Sequence, residues 1–193
     1  MRGNNMDILS RGMYLFVLDT LKYAEQNYFE IGVFNGEGFA HVAKNFPNKT
    51  CYALDPFIED GHTKAYSQVE TGSRMQTQRD NYFRHTSNLS NTVLFETTSK
   101  EYLDRLTDQD AADLNVSTVV IDGDHHYENV VIDFNLAIKL IGNKEGVIIV
   151  DDTDVADVGR AYNEFVNLFK DRITLDETCG GSTRVLMLKN NDV

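Results

Sequence analysis

Apolar residues recur along this chain with two periods, and the switches between them mark an alternating series of helices and strands. The spacing predicts an amphipathic helix over residues 7–26, a strand over 28–33 and a second helix at about 37–46. The strand TCYALD follows at 50–55, and then a polar stretch, 56–72, without clear periodicity. SRMQTQRDNYFRHT (73–86) reads as a helix, TVLFET (92–97) as a strand and SKEYLDRLT (99–107) as a short helix. Two runs rich in β-branched residues, STVVIDG (117–123) and EGVIIVDD (145–152), predict strands buried on both faces of a parallel sheet. Helices over 126–141 and 155–170 follow them. RITLDET and STRVLMLKN, joined by CGG, predict a terminal antiparallel hairpin.

Strands that alternate with helices imply right-handed βαβ units and a sheet covered on both faces. The expected fold is therefore α/β: a Rossmann-like, doubly wound, mostly parallel sheet with a C-terminal antiparallel hairpin. Its ligand is expected at the carboxyl ends of the strands. No internal repeat or second core is visible in the 193 residues, so one domain over 1–193 is expected, with residues 1–27 as an N-terminal helical segment. The stretch 56–72 is the candidate lid or substrate loop.

Composition narrows the partners. The net charge of −12 argues against nucleic acid, whose phosphates require clustered Lys and Arg, and suits a small cationic ligand or a metal. No run of about eighteen apolar residues exists, so no membrane span is expected. The N-terminus lacks a small-residue cleavage site and reads as a helix rather than a signal peptide. Cys51 and Cys179 form no metal spacing or disulfide framework, which fits a reducing, cytoplasmic compartment. The apolar face of the first helix can pack on the chain's own sheet or on a second copy in a homo-oligomer, and periodicity does not choose between them.

The candidate chemistry begins at YFEIGVFNGEG (28–38), a strand running into a glycine-rich turn. Such a turn lets a ligand approach the backbone and the N–H groups of the next helix, although Gly36 and Gly38 would equally serve a tight strand-to-helix turn. Asp55 closes the second strand, where an acid can accept hydrogen bonds from ribose hydroxyls. Further on, Asp122 ends one strand and Asp151–Asp152 the next. Adjacent parallel strands would bring these carboxylates together, where they repel unless a cation joins them or one keeps its proton. Oxygen ligands without cysteine suit Mg²⁺, Mn²⁺ or Ca²⁺. Acids at strand ends also cap helices, and Asp124 is placed to do so for the helix beginning near His126.

FEIGVFNGEG resembles motif I of class I S-adenosylmethionine-dependent methyltransferases, E/D-x-G-x-G-x-G, with Phe34 at the central glycine. E-I-G-V-F-x-G is similar to the macrocin O-methyltransferase and cephalosporin-hydroxylase-like branch, as are YALDPFIEDG and D-G-D-H-x-Y-E-x-V-x-x-D followed by G-V-I-I-x-D-D. The resemblance covers roughly residues 28–170. It implies S-adenosylmethionine as cofactor, with Glu30, Gly32, Phe34 and Gly36 at its amino-acid end, Asp55 on the ribose and Ser99 near the adenine. It implies Asp122, Asp151 and Asp152 as ligands of Mg²⁺ or a similar ion. Asp122, also beside the cofactor, and His125 become the catalytic candidates, His125 as general base, with His62 in the lid as a second base. Gly38 departs from the branch, where many members carry Ser.

The implied reaction is metal-assisted O-methylation of a small hydroxylated molecule. Three alternatives stand beside it: the same fold with other chemistry, a non-catalytic cofactor-binding module, and a nicotinamide enzyme. The last expects G-x-G-x-x-G, whereas the spacing here is G-x-x-x-G-x-G.

Overall fold

The computed structural model describes residues 8–58 and 71–191, the side chains of 8–11 and 71–75 excepted. Most of the candidate lid 56–72, and His62 with it, lies outside the described residues. In chain order the elements are α1 (Ile8–Tyr23), β1 (Asn27–Ile31), α2 (Glu37–Asn45), β2 (Cys51–Leu54), α3 (Thr71–Thr86), β3 (Thr92–Phe95) and α4 (Ser99–Arg105). Then come α5 (Asp108–Leu114), β4 (Val116–Ile121), α6 (Tyr127–Ile141), β5 (Gly146–Val150), α7 (Ala156–Leu168), β6 (Ile173–Gly180) and β7 (Thr183–Leu188). No helix among the described residues is long and apolar enough to cross a membrane.

The seven strands form one sheet in the order β3-β2-β1-β4-β5-β7-β6. β1 to β5 pair in parallel, while β7 runs antiparallel to both β5 and β6. The hairpin expected at the C-terminus is present, but its second strand, not its first, lies against β5. β4 sits at the centre with all six residues buried. Alternation splits its side chains: Val119 and Ile121 join the face covered by Phe134, Ala137 and Phe165 of α6 and α7, and Val120 joins the face covered by α1 and α2.

Two differences from the expected elements have local causes. β1 ends at Ile31 rather than at residue 33, because Gly32 turns the chain at φ +80°. A Cβ there would stand 2.1 Å from the Asp122 carbonyl oxygen, so the end of β4 can approach only a glycine. The helix α5 was not anticipated between residues 107 and 117. Its start is a capping box in which Thr107 accepts from the Asp110 N–H and the Asp110 carboxylate accepts from the Thr107 N–H.

α1 is fixed to the sheet by a buried polar contact as well as by Met13, Val17 and Leu21. Glu30, fully buried on β1, accepts hydrogen bonds from the hydroxyls of Tyr14 on α1, at 2.8 Å, and of Tyr28. Burial pushes the Glu30 carboxyl up to about 7, against the lowering effect of the two tyrosines. The Tyr14 ring reaches Glu30 by crossing the first turn of α2, where a Cβ on Gly38 would meet it at 2.1 Å. A serine here, which the resemblance would favour, would therefore collide with Tyr14.

Gly38→Ser should destabilise the protein by about 1–3 kcal/mol, the usual penalty for overpacking, measured by urea unfolding; an unchanged midpoint would show that Tyr14 moves freely. A second expectation concerns pH. The Glu30 carboxyl titrates at an ordinary 4.5 when unfolded and at about 7 when folded, so the fold keeps a proton that the unfolded chain has lost. Its stabilising share is complete below 4.5 and disappears as the pH rises through about 7. Melting temperatures should fall from pH 5 to pH 8, and fall less in Glu30→Gln; equal slopes in both proteins would refute this assignment.

Candidate functional site

The loops that follow β1, β2, β4 and β5 meet at the carboxyl edge of the sheet. After β1 the chain turns at Gly32, takes a left-handed conformation at Phe34 (φ +50°) and enters α2 through Gly36 (φ +74°), the N-cap. Asp55, just beyond β2, faces this turn. Its Oδ2 accepts from the N–H groups of Val33 (3.0 Å) and Phe34 (3.2 Å), and its Oδ1 from that of Phe57 (2.7 Å). Burial raises the Asp55 carboxyl above the usual range, and these three amides hold the rise in check.

Asp122 follows β4, and Asp151 and Asp152 follow β5. Because β4 and β5 are adjacent and parallel, with Ile121 beside Val150, the expected convergence occurs. Ligand atoms of Asp122, His125 and Asp152 lie within 4.8 Å of one another. His125 Nε2 is 3.2 Å from Asp152 Oδ2, and that contact lowers the Asp152 carboxyl below its usual value. Asp151 stands beside them but turns one oxygen to the Thr183 hydroxyl, which donates to it. Burial, and then the negative charges of Asp151, Glu30, Asp152 and Asp55, push the Asp122 carboxyl well above the ordinary range. A carboxylate so placed, with a second carboxylate and an imidazole at hand, fits a hard divalent cation in both donor set and charge.

The β6–β7 turn braces the acid loop. The Ser182 carbonyl accepts from the Thr153 N–H and hydroxyl, and the Ser182 hydroxyl lies 3.5 Å from Asp152 Oδ1. Asp152 itself is left-handed (φ +54°). Sequence reasoning did not include Thr183 or Ser182, because nothing in their spacing reveals that the hairpin folds back over β5.

Other expected residues have partners of their own. Glu30 lies beneath the loop, with both oxygens taken by tyrosines. Ser99 begins α4 and its hydroxyl bonds the buried Asp133, whose carboxyl burial raises to about 7. Asp124 Oδ1 accepts from the His126 backbone and ring, and Oδ2 from the Asn129 side chain, so it organises the start of α6. The Tyr127 hydroxyl donates to Glu164 while Arg160 stacks on the ring at 4.0 Å. A groove of about 890 Å³ opens at the opposite edge of the sheet, between Phe16, Tyr23, Val147 and Met187, far from these acids. The chemistry belongs to the acid edge.

Comparison with known proteins agrees with this fold. The curated protein R132 of Acanthamoeba polyphaga mimivirus, uncharacterized, is 29% identical over 136 residues, 69% of this chain and 54% of that protein. The chain thus spans about half the length of the curated relative it matches. The O-methyltransferase NovP has the same fold at TM-score 0.67 and 14% identity, over 93% of this chain and 80% of that one. N-methyltransferase NodS from Bradyrhizobium japonicum WM9, in complex with S-adenosyl-L-homocysteine, aligns at TM-score 0.57 and 13% identity, over 98% and 90% of the two chains. These likenesses establish the class I methyltransferase fold. The sequence profile of one family, described as a methyltransferase domain, matches residues 29–153, from the glycine turn through Asp152. The chain belongs to this family, Methyltransf_24.

Proposed function

We propose that the protein is an S-adenosylmethionine-dependent methyltransferase that methylates a hydroxyl of a small molecule with the help of a divalent cation. The observation that supports it best is the meeting, at one sheet edge and within the family-matched residues, of the glycine turn, Asp55 and the Asp122–His125–Asp152 group. In this reading the whole chain works as one cofactor-binding domain in the cytoplasm, consistent with its two free cysteines.

The turn after β1 would hold the cofactor. Gly32 and Gly36 leave its backbone bare, Phe34 contributes its half-exposed ring, and Asp55 stands at the ribose. Ser99 and the start of α4 flank the adenine end. Glu30 acts from below: it fixes α1 and the strand from which the turn springs, and does not meet the ligand. The positive sulfonium enters a field set by several carboxylates, which favours it over its neutral product. In the transfer, the acceptor oxygen forms the new C–O bond as the S–CH₃ bond breaks. The S–CH₃ bonding pair would stay on sulfur as a neutral thioether, and the acceptor's hydroxyl proton would leave to a base.

Asp122, Asp152 and His125 would hold the cation, with Asp151 beside them and kept in place by Thr183. Once bound, such an ion lowers the pKa of a coordinated hydroxyl and orients it. A hard ion held mainly by carboxylates would favour an oxygen acceptor over a nitrogen one. The His125 ring nitrogen that would serve as a ligand cannot at the same time accept the acceptor's proton. The ligand and base roles therefore separate experimentally.

Calorimetric titration with S-adenosylmethionine, S-adenosylhomocysteine and NAD⁺ tests the first part. Binding of the first two, with or without Mg²⁺, is expected; binding of NAD⁺ alone would overturn the assignment. Mn²⁺ titration followed by electron paramagnetic resonance tests the second. Asp122→Asn and His125→Ala should each weaken Mn²⁺ binding by more than the roughly 10–100-fold that loss of an outer-shell partner costs. If His125→Ala keeps full Mn²⁺ affinity and loses only turnover, His125 is the base and not a ligand.

A further inference from the structure

We infer that Asp55 is a positioning residue that holds two phenylalanines, Phe34 and Phe57, in left-handed conformations and so builds the cofactor side of the cleft before any ligand arrives. The inference rests on the cofactor reading above for its functional consequence, but its structural core does not. Left-handed backbone is costly for a bulky residue, because Cβ crowds the following carbonyl. The chain places a phenylalanine there twice, at φ +50° for Phe34 and φ +47° for Phe57, in the two loops that flank Asp55. The one carboxylate bonds the backbone N–H of both.

The two halves of the brace are built differently. Asp55, Pro56 and Phe57 form a side-chain turn in which Oδ1 accepts from the N–H two residues on, with proline fixing the residue between. The Phe57 ring is buried and packs at 5.9 Å from Tyr82, so its conformation has a second anchor. Among the described residues Phe34 has no such ring contact, and it is 56% exposed. What holds it are Oδ2 of Asp55 and the Gly36 N–H to Val33 carbonyl bond of the same turn. Removing Asp55 should therefore release the Phe34 loop first.

A carboxylate offers about four lone-pair directions, and three are taken by backbone amides. Asp55 can thus give a ribose at most one hydrogen bond while it keeps both loops in place. Its larger contribution to cofactor binding is the shape of the loops.

The test separates this role from ligand contact. Amide hydrogen exchange in the free protein should show Val33, Phe34 and Phe57 exchanging faster in Asp55→Ala, with Phe34 affected most. Should that variant fail to fold, Asp55→Asn keeps one acceptor oxygen and should loosen one loop and spare the other. Affinity for S-adenosylhomocysteine is then measured in Asp55→Ala, Phe34→Gly, Phe34→Ala and the two double variants. Glycine accepts a left-handed conformation without strain and alanine does not. Phe34→Gly should therefore recover about tenfold or more of the affinity lost in Asp55→Ala, a departure from additivity of the size seen for coupled neighbours. Phe34→Ala should not.

Unchanged exchange in Asp55→Ala, or strictly additive affinity losses, would overturn the proposal and leave Asp55 as a ligand contact alone. If the wild-type protein binds no S-adenosylhomocysteine, the cofactor reading fails while the exchange measurement still decides whether Asp55 braces the loops.

Discussion

Carboxylates crowd one edge of this sheet, and the rest of the site is arranged around keeping them there. Asp122 feels the charges of Asp151, Glu30, Asp152 and Asp55. Each of its neighbours is neutralised by a separate device. Glu30 is buried under two tyrosine hydroxyls, Asp55 is wrapped by three backbone amides, Asp151 accepts from Thr183 and Asp152 is paired with His125. These devices come from α1, from the turn after β1, from the β6–β7 hairpin and from the loop after β4. The arrangement explains why the N-terminal helix and the C-terminal hairpin, distant in sequence, both pack toward this edge. Asp122 is left as a carboxyl that burial and four neighbouring charges push well above the ordinary range, a crowding that a cation would relieve.

The alternating periods carried the fold class, because strands buried on both faces and amphipathic helices leave different traces in sequence. Periodicity did not reveal that β7 inserts between β5 and β6, since a hairpin may add to a sheet edge by either strand. The helix α5 escaped notice although Thr107 and Asp110 stand at capping-box spacing, because only Ala111 of its residues is buried and no apolar stripe marks it. The gathering of Asp122 and Asp152 was legible from their places at the ends of neighbouring strands. The inclusion of His125 in that group was not, since it depends on how the loop after β4 closes on Asp152.

The glycine turn shows where reading residues by type falls short. A bare backbone suggests a ligand, yet Gly32 is required by the Asp122 carbonyl and Gly38 by the Tyr14 ring. The turn is bare first because the chain packs against itself there. Glu30 has a structural role beside the one its place in the motif implies: alternation puts it on the same side of β1 as Tyr28, and both its oxygens accept from tyrosine hydroxyls. Tyr28 could have been found by that alternation; Tyr14, sixteen residues earlier on another element, could not.

Backbone strain concentrates at the same edge. Among the described residues four that are not glycine have positive φ: Phe34, Phe57, Asn115 and Asp152. Asn115 ends α5, a common use of the left-handed conformation at a helix C-terminus. The other three flank the site, one in each of the loops after β1, β2 and β5. Strain of this kind persists only where surrounding contacts enforce it, and here the enforcing groups are Asp55, His125 and the Ser182–Thr183 turn, the same groups that manage the crowded charge. Relaxing any one of these conformations would free a carboxylate to move away from its neighbours. The strained loops and the clustered acids therefore maintain each other, and the sheet edge holds a shape that neither local preference nor charge repulsion alone would produce.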